Sequence, residues 1–199
     1  MPFEHLHIIQ GDMPHLRDLT IGPSDLPDDD EPTRLELFDR APQLTTVVLA
    51  ECFVPSVMRL PWSQLTFLVG LCLYEHECAD ILRHATNLIR YTVTVCGPPE
   101  PNVLAVPAHS HLRNLVIIVK DSADVDLSNI LNALTLPALR TLEVPELYVS
   151  MVEPLATLKD FVSRSRCTLD ELLVTGPSAF SVPEYCEALP SVRRIILDG

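Results

Sequence analysis

Apolar residues return along this chain in one repeating pattern, in which the first, fourth and sixth residues of a short segment are aliphatic. The cleanest copy is Leu139-x-x-Leu142-x-Val144, which lies in the run from Leu136 to Val144. Eight copies begin at Leu16, Leu44, Leu65, Leu88, Leu112, Leu139, Leu169 and Val192, with start-to-start spacings of 28, 21, 23, 24, 27, 30 and 23 residues. Because side chains alternate between the two faces of a strand, each copy predicts one short strand with aliphatic residues facing a core.

The third copy allows two registers. Its sixth position is Gly70, and a second pattern of the same form runs from Leu68 through Leu71 to Leu73. We favour the start at Leu65, because the preceding Pro-Trp-Ser-Gln run predicts a turn that leads into the strand. The choice matters, since register decides which side chains face the core.

The segments between the predicted strands are of two kinds. Residues 77–84, 127–134, 155–162 and 182–189 carry apolar residues at helical spacing and predict short helices, whereas the proline-rich residues 22–33 and 96–108 predict irregular returns. The repeat spacings fall in or just outside the window of about 20–29 residues that is typical of leucine-rich repeats. The sequence therefore predicts an α/β leucine-rich-repeat solenoid over residues 1–199, with a curved parallel sheet on the concave face and short helices and irregular returns on the convex face. The run from Phe3 looks like the convex half of a preceding repeat, and one interpretation is that the array lacks an N-terminal cap.

Composition narrows the classes of function. Hydrophobic residues make up 47% of the chain and aromatic residues 6%, which indicates an ordered, mainly aliphatic core. The chain has 27 acidic against 14 basic residues and a net charge of −13, so we expect neither nucleic-acid binding nor attachment to an anionic membrane. Six cysteines, none in a C-x-x-C pair, and no signal peptide predict reduced thiols in a cytoplasmic or nuclear protein.

The residues between the aliphatic positions are the candidates for binding. Positions three and five of each copy are expected on the concave face, where neighbouring parallel strands align them into two ladders. The candidate partner-binding residues are Thr46, Val48, Phe67, Val69, Arg90, Thr92, Asn114 and Val116. An apolar strip with an aromatic residue and an arginine is the composition of a protein-binding hot spot. The alternative is that these residue types simply favour half-exposed strands.

The sequence offers little for catalysis. His5 with His7, and His109 with His111, could each place two imidazoles on one strand face, but neither pair has another ligand at metal-binding spacing. His76 with Cys72 and Cys78 fits no standard zinc motif, and the acidic residues 28–31 are expected to be solvated loop charges. No glycine-rich phosphate loop and no nucleophile elbow is present, so we expect no enzyme activity, no metal and no cofactor.

Several runs resemble one family. They are Leu60-Pro-Trp-Ser-Gln-Leu-Thr66, Ala41-Pro-Gln-Leu44, Asp80-Ile-Leu-Arg83 with Asn87-Leu88, and Ser163-Arg-Ser-Arg-Cys-Thr-Leu169. They are similar to the strand-entry sequences of F-box-type leucine-rich-repeat proteins of mushroom-forming fungi, and the resemblance extends over residues 3–197 of the repeat arm. Family members carry an N-terminal F-box that docks a ubiquitin-ligase adaptor, and this motif is not found in the chain.

The resemblance implies a protein-recognition module, similar to the substrate-binding arm of a ubiquitin-ligase receptor. The adaptor is an expected partner only where an F-box is supplied elsewhere. One alternative is a standalone leucine-rich-repeat scaffold or inhibitor with no ligase link. A remote alternative is a small metal-dependent hydrolase that uses the histidines.

Overall fold

The computed structural model describes residues 12–22, 38, 40–50, 58–97, 106–120 and 125–199. Within these residues the strands are β1 (Asp18–Ile21), β2 (Thr46–Ala50), β3 (Phe67–Leu73), β4 (Arg90–Val95), β5 (Asn114–Val119), β6 (Thr141–Pro145), β7 (Glu171–Thr175) and β8 (Ile195–Asp198). The helices are α1 (Glu75–His84), α2 (Ser128–Ala133), α3 (Glu146–Val149), α4 (Pro154–Ser165) and α5 (Val182–Ala188), and a 3-10 turn covers Trp62–Gln64.

All eight strands form one parallel sheet, and their order in the sheet is their order in the chain. Each strand therefore pairs only with the strands before and after it in sequence. The prediction of an α/β chain with a single parallel sheet is confirmed. The eight strands coincide with the eight copies of the aliphatic pattern, because each copy supplies the residues that one strand buries.

The first, fourth and sixth residues of the central copies form the core. Leu115 and Ile117 on β5 and Leu142 and Val144 on β6 are at most 1% exposed. Burying a side chain of this size stabilises a fold by about 1.5–3 kcal/mol, so the repeated aliphatic pattern is the main source of stability. The helices lie on the side that these residues face, and α1 contacts α2, α2 contacts α4, and α4 contacts α5.

The register of β3 follows the start at Leu65. Phe67 pairs with Thr46 on one side and with Arg90 on the other. The alternative register requires Leu71 to face the core, whereas Leu71 is 41% exposed. A bulge between Gly70 and Leu73 returns Leu73 to the core, with Cys72 at a φ of 58°.

The helices follow the predicted segments with shifted ends. The helix α1 begins two residues before the predicted start, where the backbone N–H of Tyr74 donates to the carboxylate of Glu77 (2.8 Å). The helix α4 continues to Ser165 beyond the predicted end. The short helix α3 was not predicted, since a single turn has no periodicity to detect. Residues 22–33 and 96–108 lie mostly outside the described residues, and the predicted loops there stay predictions.

Polar side chains bond consecutive copies to one another at the turns before the strands. The amide of Gln64 donates to the carbonyl oxygens of Ala41 (2.6 Å) and Leu44 (2.8 Å), one copy earlier. The hydroxyl of Ser165 accepts the backbone N–H of Leu136 (3.1 Å) and is itself 1% exposed. These side chains supply hydrogen bonds to backbone groups at the turns, and a buried polar group without a partner would destabilise the fold.

A buried carboxylate bonds the last copies together. Glu146 is 3% exposed and accepts the hydroxyl of Tyr185 (2.6 Å), the backbone N–H of Ala179 (2.6 Å) and the hydroxyl of Ser178. Burial, and then the nearby carboxylate, raises the pKa of Tyr185, so its hydroxyl stays a donor. The contact joins α3 to α5 across 39 residues of sequence.

Candidate functional site

The eight candidate residues lie together on one face of the sheet. Thr46, Phe67, Arg90 and Asn114 pair in register across β2 to β5. Their partners two residues on form the second ladder, Val48, Val69, Thr92 and Val116. We call the surface made by these eight residues the open strip. Because the intervening leucine and valine residues face the helices, the strip lies on the opposite side of the sheet.

The open strip is accessible and partly apolar. Arg90 is exposed and the other seven residues are half-buried, as expected for side chains that touch only their neighbours on a sheet surface. Val48 and Val69 are neighbours across β2 and β3, with Phe67 two residues before Val69, and Thr92 on β4 separates Val69 from Val116 on β5. Nothing in the described part of the chain covers this surface.

The apolar surface extends further than the two predicted ladders. Leu71 on β3 and Ile118 on β5 are 41% and 44% exposed, each two residues beyond the second ladder. Ile89, directly before Arg90, is 40% exposed. Because side chains alternate between the faces of a strand, the same rule places Leu71 and Ile118 on this face, but the prediction covered only positions three and five of each copy. Exposed apolar side chains therefore extend two residues beyond the second ladder on β3 and β5, with Thr94 on the strand between them.

A polar boundary closes the strip towards β6. The amide of Asn114 donates to the hydroxyl of Thr141 on β6. The second ladder changes character at the same strand, where Glu143 pairs in register with Val116. On β7 and β8, Glu171 forms an ion pair with Arg194. Within the described strands, Glu143 thus separates the apolar residues of β2–β5 from Leu173 on β7 and Ile196 on β8, which continue the second ladder.

Three arginines stand at the beginnings of adjacent strands. Arg90 is the first residue of β4, and Arg113 and Arg140 immediately precede β5 and β6. All three side chains are exposed. Sequence reasoning missed Arg113 and Arg140, because both occupy the second position of their copies rather than the third or fifth. We call these three residues the arginine row.

His109 and His111, the candidate histidine pair that lies within the described residues, both contact backbone carbonyl groups. His109 is 3% exposed, its Nε2 donates to the carbonyl of Ala85 (2.9 Å), and its Nδ1 accepts the backbone N–H of Leu112 (3.2 Å). Burial, and then the neighbouring His111, lowers the pKa of His109, which favours this neutral tautomer. Both ring nitrogens are therefore occupied, while the exposed His111 bonds the carbonyl of Thr86. His5 and His7 lie outside the described residues.

The cysteines do not form a reactive site in the described part of the chain. The Cys78 thiol is buried against Tyr91, and burial raises its pKa. Burial likewise raises the pKa of Cys167. Their thiolate forms are disfavoured, which opposes metal binding and nucleophilic attack. Cys186 on α5 is exposed.

No metal-binding group was found among the described residues. No three side chains of histidine, cysteine, aspartate or glutamate converge there. His76 stacks on Tyr74 with ring centroids 6.0 Å apart, whereas Cys78 lies in the core. The acidic residues 28–31 lie outside the described residues. Nor does the described part contain a helix with the length and apolar character needed to cross a bilayer.

Comparison with known proteins gives no relative. No family model, no curated protein and no solved structure matches this chain.

Proposed function

We propose that this protein is a leucine-rich-repeat solenoid that recognises a protein partner through the open strip. The fold assignment is supported by the aliphatic pattern, its spacing of 21 to 30 residues and the strand order. Stacked repeats bury one face of each unit and leave a continuous opposite face for binding. The curved shape and concave position of the strip belong to this proposal.

One observation carries the proposed function, which is the apolar surface on β2–β5 that no other described residue covers. Phe67 lies beside Val48 and Val69 there, on the side of the sheet away from the helices. An aromatic side chain amid aliphatic residues and a nearby arginine is the composition of an interface centre. Glu143 on β6 places a charge in the second ladder, directly beside Val116 at the edge of this surface.

The family resemblance suggests what such binding would serve. In an F-box receptor the repeat arm binds the protein that is to be ubiquitinated, and the adaptor binds elsewhere on the receptor. We propose this role for the chain where an F-box is supplied, with the standalone scaffold or inhibitor as the alternative. Tagging the endogenous protein distinguishes the two, because the receptor copurifies with a ubiquitin-ligase adaptor and the scaffold does not.

Substitution on the strip tests the binding itself. Val69→Asp places a charge in the centre of the apolar surface, and Phe67→Ala removes its aromatic group. We expect each to weaken partner binding by about tenfold or more, the effect of losing a central contact. The measurement is affinity purification with quantitative mass spectrometry, followed by titration of the purified partner.

Val152→Asp is the matched control, since Val152 is 84% exposed in the turn between α3 and α4, away from the strip. This variant should retain the same partners as the wild type. Circular dichroism melts of all variants exclude unfolding as the cause. Recovery of the same proteins in the same amounts by the strip variants would contradict the proposal.

A further inference from the structure

The arginine row is held together by backbone bonds between adjacent copies. The N–H of Arg113 donates to the carbonyl of Ile89 (2.9 Å), next to Arg90, and the N–H of Arg140 donates to the carbonyl of Arg113 (2.8 Å). Two strand spacings separate the first arginine from the third, so the row spans about 10 Å at the backbone. Three exposed arginines therefore lie at the N-terminal ends of β4–β6, at one end of the open strip.

The positive charge of this row is not neutralised within the described residues. Neither Arg90 nor Arg113 forms an ion pair or side-chain hydrogen bond there, and Arg140 makes only a 3.4 Å contact with the carbonyl of Thr168. The arginines of the last strand differ, because Arg193 pairs with Asp170 (2.8 Å) and Arg194 pairs with Glu171. Among the described residues, the arginines before β8 thus form ion pairs, whereas Arg90, Arg113 and Arg140 form none.

This arrangement is unexpected in an acidic chain. The chain has 27 acidic and 14 basic residues, so three neighbouring arginines form a local charge opposite to the net charge. Side by side, like charges repel each other and lower stability slightly, so the row gains nothing for the fold by itself. An anionic ligand would remove this repulsion and form charge-assisted hydrogen bonds with the guanidinium groups.

The neighbouring surface specifies what else the ligand carries. Ile89, which directly precedes Arg90, is 40% exposed. The second ladder, which contains Val69 and Val116, lies two residues further along the strands than the ladder of Arg90. A ligand that reaches the arginine row therefore also contacts aliphatic surface. A nucleic acid fits this surface poorly, because it has few apolar groups and the net charge of the protein repels its backbone.

We propose that the partner presents an acidic peptide segment, in which carboxylates alternate with aliphatic or aromatic side chains. The carboxylates bind Arg90, Arg113 and Arg140, and the apolar side chains lie on the open strip. This inference rests on the proposed function and adds the chemistry of the partner. Glu143 borders the site on β6 and disfavours carboxylates further along the face.

Fluorescence anisotropy with three labelled twelve-residue peptides tests this chemistry. The first alternates glutamate and leucine, the second has glutamine in place of glutamate, and the third has lysine. We expect saturable binding of the first peptide at low salt and at least tenfold weaker binding of the other two, with affinity falling as sodium chloride rises. No saturable binding of the acidic peptide, or equal binding of the lysine peptide, would overturn the proposal, as would tighter binding of a single-stranded oligonucleotide.

Variants locate the binding. The double variant Arg90→Ala with Arg113→Ala should bind the acidic peptide about tenfold more weakly than the wild type. The control is Lys159→Ala on α4, which removes a positive charge away from the strip and should leave the affinity for the peptide unchanged. Glu143→Gln should strengthen binding by about twofold to threefold, because it removes a repelling charge. Equal affinity of the double variant and the wild type would overturn the arginine assignment.

The two proposals fail in different ways. If Val69→Asp loses the natural partner and the arginine variant retains it, recognition through the strip stands and the acidic-peptide inference is wrong. If both variants retain the natural partner, both proposals are wrong. Loss of the partner in both variants, with Lys159→Ala unaffected, supports both.

Discussion

The substitution Tyr185→Phe removes one hydrogen bond from the buried Glu146 without leaving a cavity. The tyrosine is fully buried, its hydroxyl lies 2.6 Å from the carboxylate, and its ring packs edge-on against Phe180. Phenylalanine keeps the ring and loses only the hydroxyl. Glu146 then retains the N–H of Ala179 and the hydroxyl of Ser178 as donors.

The magnitude follows from the charge of the acceptor. A hydrogen bond to a charged group contributes about 1.5–3 kcal/mol to stability, more than a neutral one, and an under-solvated buried carboxylate adds to the loss. We therefore expect Tyr185→Phe to lower the free energy of unfolding by about 2 kcal/mol. For a chain of this size that corresponds to about 4–8 °C in Tm. Glu146→Gln should lower the free energy of unfolding by more than this. The NH2 group of glutamine only donates hydrogen bonds, so it cannot accept those that the carboxylate oxygen accepts.

The assay combines urea denaturation with hydrogen exchange. Urea denaturation is measured for the wild type, for Tyr185→Phe, for Glu146→Gln and for the double variant. The four free energies of unfolding give the coupling energy between the two side chains, which we expect to exceed about 1 kcal/mol for groups in direct contact. Repeat arrays can unfold in parts, so exchange of amide hydrogens in residues 176–189 shows whether the loss is local to α5. Increased exchange there, with β3–β5 unchanged, is the expected pattern.

Two results would refute this reasoning. Tyr185→Phe within about 0.5 kcal/mol of the wild type would mean that the bond contributes no net stability. Strict additivity of the two substitutions would mean that the two groups do not interact. Either outcome would remove the carboxylate as the connection between α3 and α5.

Two further predictions concern the core and the turns. The pKa of His109 is lowered in the fold, so its contribution to stability is complete above the unfolded value of about 6.5 and is lost as pH falls from there towards the folded pKa. Denaturation between pH 8 and pH 5 should accordingly show a shallower pH dependence for His109→Gln than for the wild type, and identical profiles would contradict the assignment. Gly70→Ala places a methyl group 2.5 Å from Cδ1 of Leu73, so we expect overpacking to lower the free energy of unfolding by about 1–3 kcal/mol, measured by urea denaturation. Gly176→Ala is the comparison, because its methyl group meets no atom within 4 Å and the substitution is strained only through the φ of 78°. A larger loss at Gly176 than at Gly70 would contradict this explanation.

The sequence alone located the strands and the residues that face the core, and it left two registers open for the third copy. This was possible because each strand carries its own aliphatic pattern, and because parallel strands in chain order require no inference of long-range pairing. Leu65, Leu139 and the other first positions therefore locate β1–β8 through the local pattern alone. The ladder from Thr46 to Val116 followed from the same local period.

The tertiary structure decided the features that depend on contacts between copies. The bulge after Gly70 returns Leu73 to the core, which the two-residue alternation of the strand does not predict. The bond from Glu146 to Tyr185 joins residues 39 positions apart, a distance at which no local pattern pairs a carboxylate with a hydroxyl. Whether an arginine finds a partner likewise depends on the neighbouring strand. For that reason the unpaired charge beside the open strip emerged only from the fold.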